Sequence, residues 1–122
     1  MKFVFITKDE AVRETAKIAF PNSQDEVLCF DSWALGLDAC KGADMVFVDL
    51  IATLEEPHKI AGYEKFALAK MSHAGAKEVP LILLAPPADY DLDFMTGWPD
   101  FVFAQLRKPV NEKVFRRVVT YI

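Results

Sequence analysis

Cysteine, histidine and glycine are all scarce in this 122-residue chain, which holds two, two and five of them. Cys29 and Cys40 stand alone and eleven residues apart, which gives neither a disulfide framework nor the paired spacing of a zinc site. Both are read as buried free thiols. His58 and His73 have no second His or Cys three or four residues away, so each is read as a solvated loop or helix-end residue and no metal site is expected. Long apolar runs are missing too: Met45 to Val48 and Leu81 to Pro87 fall far short of the roughly 18 residues that cross a bilayer. The opening stretch has one basic residue and four apolar ones before it turns charged, unlike a signal peptide. These absences predict a cytoplasmic protein that makes no membrane contact. Positive charge is in deficit, with 14 Lys and Arg against 18 Asp and Glu, a net −4 that repels a phosphate backbone and argues against nucleic acid as partner. No G-x-G-x-x-G, P-loop, G-x-S-x-G or Ser/His/Asp set is present, so an enzyme is not expected.

What the chain does have is apolar residues, at 52%, with two Trp, three Tyr and ten Phe. At this length they suffice for one globular core and exclude intrinsic disorder, so residues 1–122 are read as a single domain. Lys2 to Thr7 is a contiguous apolar run of the kind that marks a strand covered on both faces. Asp9 then offers an N-cap, and Ala11, Val12, Thr15, Ala16, Ile18 and Ala19 recur at helical spacing until Pro21 and Asn22. The alternation continues with strands at Glu26–Phe30, Met45–Leu50, Leu81–Ala85 and Phe101–Leu106. Helices are predicted at Ser32–Cys40, Ala61–Ser72, Asp89–Gly97 and Asn111–Ile122. Five strands alternating with five helices predict an α/β three-layer sandwich around a parallel sheet, in the flavodoxin-like order 2-1-3-4-5. A site in such a sheet lies outside the carboxyl ends of the strands, where Thr7, Lys8, Asp49 and Ala85 fall. Ile51 to Ile60 is the longest stretch without an assigned element.

Over essentially its whole length the chain resembles the receiver domain of two-component response regulators. Lys2-Phe-Val-Phe-Ile-Thr-Lys-Asp-Glu-Ala-Val-Arg13 resembles the family's first strand and helix start. Ala43-Asp-Met-Val-Phe-Val-Asp-Leu50 resembles the third strand, which puts the phosphoacceptor on Asp49. Phe30-Asp-Ser-Trp-Ala-Leu-Gly-Leu37 and Val79-Pro-Leu-Ile-Leu-Leu-Ala85 resemble the second and fourth strands, and Leu106-Arg-Lys-Pro-Val110 puts the family's lysine on Lys108.

The departures point away from the family's usual chemistry. Its acidic pair after strand one, which with the phosphoacceptor holds Mg²⁺ through carboxylate oxygens, is Thr7 and Lys8 here. Its hydroxyl residue at the end of strand four is Ala85, and its switch aromatic is Gln105. Gly62 lies thirteen residues beyond Asp49, so the intervening loop is enlarged. Asp49, Lys8 and Lys108 sum to +1 where the family's pocket sums to −2. The expectation is a pocket with no bound metal or cofactor, in which Lys8 stands beside Asp49. Asp9, Glu55 and Glu56 are near enough in sequence to supply other carboxylates, although an acidic loop is ordinarily just solvated.

The resemblance with its departures implies a pseudo-receiver, a phosphorylation-independent module that presents a surface to a protein partner. Tyr90, Leu92, Phe94, Met95 and Trp98 are the candidate surface, because aromatics and Met concentrate there in an Asp-rich segment. The alternatives are a receiver phosphorylated on Asp49 through an atypical metal site, and a small flavodoxin-like protein that binds a ligand at the strand ends. Nothing in the sequence sets the oligomeric state.

Overall fold

The computed structural model describes residues 1–87 and 102–121. The five strands are β1 (Lys2–Ile6), β2 (Glu26–Phe30), β3 (Met45–Asp49), β4 (Leu81–Ala85) and β5 (Ala104–Arg107). Five helices accompany them: α1 (Glu10–Ala19), α2 (Trp33–Asp38), α3 (Leu50–Thr53), α4 (Ala61–Ser72) and α5 (Glu112–Val119). All strand pairs are parallel, and the order is β2-β1-β3-β4-β5, as the flavodoxin-like reading expects. The expected helix Asp89–Gly97 and the candidate surface Tyr90, Leu92, Phe94, Met95 and Trp98 lie outside the described residues.

Alternation along the buried strands sends two kinds of side chain to the two faces. Phe3, Phe5, Met45, Phe47, Ile82 and Leu84 point to one side, where Val12 and Ala16 of α1 and Phe115 and Val118 of α5 cover them. Phe5 and Phe47 stack with centroids 4.4 Å apart, and Phe115 closes on Phe47 at 5.2 Å. The opposite side carries the slimmer Val4, Ile6, Val46, Val48, Leu81 and Leu83, packed against Leu37, Tyr63 and Phe66. Central β1, β3 and β4 are therefore buried on both faces, and their apolar runs are contiguous for that reason.

The helix starts follow local chemistry. Asp9 accepts from the Ala11 amide at 2.9 Å, Ser32 from Leu35 at 3.4 Å and Asn111 from Val114 at 3.0 Å, each satisfying an otherwise orphaned first-turn donor. Several boundaries differ from the sequence reading: β1 ends at Ile6 rather than Thr7, α2 spans Trp33–Asp38 within the expected Ser32–Cys40, and β5 is Ala104–Arg107 rather than Phe101–Leu106. The third strand ends at Asp49 rather than Leu50, because the Asp49 carboxylate caps the single-turn helix α3. In the first turn of α4, Gly62 sits so tightly on α3 and the residues after it that a Cβ would lie 2.4 Å from the Thr53 carbonyl oxygen and 2.6 Å from the Glu55 nitrogen. Both neighbours are backbone, so only glycine lets α4 approach this closely. His73 is a helix-end residue at the C-cap of α4, and it is engaged there: its Nε2 is 2.9 Å from Asp38 Oδ1, and its Nδ1 accepts from the Gly75 amide at 3.1 Å. The closing helix ends at Val119, short of the expected Ile122.

Among the described residues, no helix is long and apolar enough to cross a membrane.

Candidate functional site

The β1–β3 register sets Ile6 against Val48, so the next residues, Thr7 and Asp49, leave the sheet side by side. β4 lies between β3 and β5, and it ends in the buried Ala85, whose carbonyl accepts from the Lys108 amide at 3.0 Å. From that anchor the Lys108 side chain spans one strand and reaches Asp49.

Asp49 is 2% exposed, and both of its oxygens are engaged. Oδ2 accepts from the Thr7 hydroxyl at 2.8 Å and from Lys108 Nζ at 2.6 Å. Oδ1 accepts from the Ile51 amide at 3.2 Å, which is the cap of α3. A buried carboxylate is tolerated because a cation and two further donors replace its hydration.

Lys108 also bonds Asp9 Oδ2 at 3.1 Å, while the Asp9 amide donates to the Thr7 hydroxyl at 3.0 Å. Thr7, Asp49, Lys108 and Asp9 thus form a closed ring of hydrogen bonds at the ends of β1, β3 and β5. Burial acts to raise the Asp9 pKa, but the Lys108 ammonium, by hydrogen bond and by charge, and the first-turn amides of α1 outweigh it. The net result lies below the usual 3.8. Arg13 reaches back from α1 to the Thr7 carbonyl with Nη2 at 3.3 Å, and its buried Nε has no hydrogen-bond partner among the described residues.

Lys8 does not stand beside Asp49. It is exposed and makes no ion pair with any described residue. Thr7 is fully buried and points into the pocket, so its neighbour turns outward, where a strongly hydrated ammonium is better placed. The charge balance changes accordingly: Asp9, Asp49 and Lys108 leave the ring at a net −1, not +1. Of the other carboxylates named from sequence, Glu55 pairs with Lys65 at 3.0 Å and Glu56 is exposed. Gln105 is exposed on β5, in register with Leu83. Asp9 was legible as a helix cap but not as an ion-pair partner, because its two oxygens do the two jobs separately.

The donor set does not fit a magnesium ion. Such a cation takes several carboxylate oxygens and waters in octahedral geometry. Here only two carboxylates converge, both lie against the Lys108 ammonium, and no three ligating side chains gather among the described residues.

No family model matches the sequence, nor does any curated protein. Solved structures do match. A response regulator receiver domain protein (CheY-like) from Methanospirillum hungatei JF-1 superposes with a TM-score of 0.72 at 16% identity, covering 98% of this chain and 91% of that one. A response regulator receiver domain protein from Clostridium thermocellum gives 0.66 at 19% identity, over 98% and 91%. The Vibrio cholerae chemotaxis protein CheY4 gives 0.67 at 16% identity, over 99% and 97%. The fold is therefore that of response-regulator receivers, and Asp49 and Lys108 stand at the strand ends where the sequence resemblance puts the phosphoacceptor and its lysine.

Proposed function

We propose that this chain is a pseudo-receiver: a cytoplasmic signalling module that engages a protein partner without phosphorylation of Asp49 and without catalysis of its own. One observation carries the reading. The three donors that hold Asp49 come from the protein itself, with Thr7 standing where the resemblance expects a carboxylate. In-line attack on a phosphoryl group needs a free carboxylate oxygen and neutralisation of the transferred charge. Freeing Oδ2 here breaks a charge-assisted bond in a buried site, and freeing Oδ1 uncaps α3. Ala85 has a methyl group where the family's relay uses a hydroxyl, and exposed Gln105 stands where it uses an aromatic. Neither can follow a phosphoryl group inward.

The test uses amide spectra of the protein with Mg²⁺ and beryllofluoride, a phosphoryl mimic. No saturable shift is expected around Asp49. Shifts that saturate at millimolar metal overturn the reading in favour of a phosphoaccepting receiver. That alternative has one observation on its side, the Asp9 carboxylate at 3.1 Å from Lys108, which puts a second acidic group next to Asp49. Once a partner is in hand, its binding should survive Asp49→Asn. It should weaken with Trp98→Ala by more than about 2 kcal/mol if the aromatic segment is the contact surface.

A further inference from the structure

Beside the Asp49 ring, residues that follow β1, β2 and β3 line an open cleft of about 470 Å³, Lys8, Asp31, Trp33, Leu54 and Glu55 among them. Small-molecule sites occupy roughly 300–1,000 Å³. The place also suits a ligand, because β1 is flanked there by β2 and β3 and the chain order reverses.

The charges in the cleft are specific. Lys8 and Asp31 are both exposed, and neither forms an ion pair among the described residues. Glu55 is matched by Lys65 at 3.0 Å. Among the described residues the cleft therefore offers one uncommitted cation and one uncommitted anion, a net of zero. A polyanion would meet a single free ammonium against two carboxylates. A divalent cation would meet that ammonium and no cluster of three ligating groups among the described residues. The same lining carries the half-buried indole of Trp33, held edge-on to Phe66 at 5.8 Å, and the half-buried Leu54.

We propose that this cleft binds a free amino acid with an apolar side chain. Lys8 receives its carboxylate, Asp31 its ammonium, and Trp33 with Leu54 its side chain. Matched opposite charges on one small molecule are what the two uncommitted groups select, since a ligand with only one charge leaves the other unanswered. The outward turn of Lys8, which removes it from Asp49, is what places it here. The binding does not rest on whether Asp49 accepts a phosphoryl group.

The experiment is an amide-spectrum titration of the full chain with leucine and phenylalanine, run beside isoamylamine and 4-methylpentanoate, the two single-charge relatives of leucine. An amino acid should give saturable shifts confined to Lys8, Asp31–Ala34 and Ala52–Glu55, with each relative at least about tenfold weaker. Lys8→Gln and Asp31→Asn, both at exposed positions, should each weaken binding about tenfold. The proposal is overturned if neither amino acid saturates in the millimolar range, if a single-charge relative binds as well, or if neither cleft variant alters affinity.

Discussion

Replacing Asp49 with asparagine is nearly isosteric, and its effect on stability has opposite signs for two kinds of pocket. Where carboxylates crowd without enough cations, removing one charge relieves repulsion and stabilises the fold. Here the substitution should destabilise it. Asp49 uses both oxygens only as acceptors, from Ile51 on one side and from Thr7 and Lys108 on the other. An asparagine amide has one acceptor oxygen, so its NH₂ must face either the Ile51 N–H or the Thr7 and Lys108 donors, and both orientations set donor against donor. A hydrogen bond to a charged group contributes about 1.5–3 kcal/mol, and an unsatisfied buried donor costs about 1–3 more. Lys108 keeps its bond to Asp9, which limits the damage. The net expectation is a loss of about 3 kcal/mol, or roughly 10 °C in Tm for a domain of this size. Lys108→Met should be worse, about 3–5 kcal/mol, because it leaves a carboxylate that is 2% exposed without a cation. The double variant should cost less than the sum of the two. Urea unfolding of the four proteins at neutral pH measures all three quantities. An Asp49→Asn protein as stable as the parent, or more so, would refute the account of a satisfied pocket.

Further outcomes are open to measurement. Burial pushes the Cys40 thiol up to about 11 from 9.0, so stability that is full below pH 9 is lost as pH rises through 11; at pH 10 the loss is about 1.4 kcal/mol. Tyr63, pushed by burial to about 12, adds a later loss of the same sign. Buried Lys70, lowered by desolvation beneath 10.5, works in the opposite direction. Unfolding free energies at pH 8 and pH 10 should therefore fall by about 1 kcal/mol more in the parent than in Cys40→Ala, and an equal fall in both would contradict this assignment. Gly62→Ala forces a methyl group onto the Thr53 and Glu55 backbone and should cost about 2–3 kcal/mol by denaturant unfolding; a neutral result would mean that α4 shifts freely. Phe47→Ala opens the aromatic stack and should cost about 3–5 kcal/mol. In acid, the Asp9–Lys108 bond stabilises the fold above the ordinary carboxylate pKa and is lost as pH falls below it. Asp9→Asn should accordingly flatten the acid limb of the stability curve, and an unaltered limb would exclude Asp9 as its source.

Much of the architecture was legible because each signal rested on local physics. The contiguous apolar runs of β1, β3 and β4 reflect burial on both faces, and Asp9 caps the helix it precedes. The α3 turn was not legible: four residues carry no periodicity, and its cap is the residue whose family resemblance suggested a different role. Lys8 was misplaced for a related reason. Its neighbour Thr7 and the strand's alternation decide its direction, and a charge count records neither. The convergence of Asp9 on Lys108 spans ninety-nine residues, beyond the reach of any local pattern.

That last separation bears on how the domain comes apart. Three of the four ring bonds join residues 42, 59 and 99 positions apart in the chain, so they form only after the β1, β3 and β5 ends have been brought together. Contacts of this separation are expected to form after the folding transition state, which the φ-value of Lys108→Met measures. Their loss should leave the refolding rate nearly unchanged and appear almost entirely as faster unfolding. The ring is then a latch on the finished domain: it sets how long the native state lasts and has little influence on how fast it is reached.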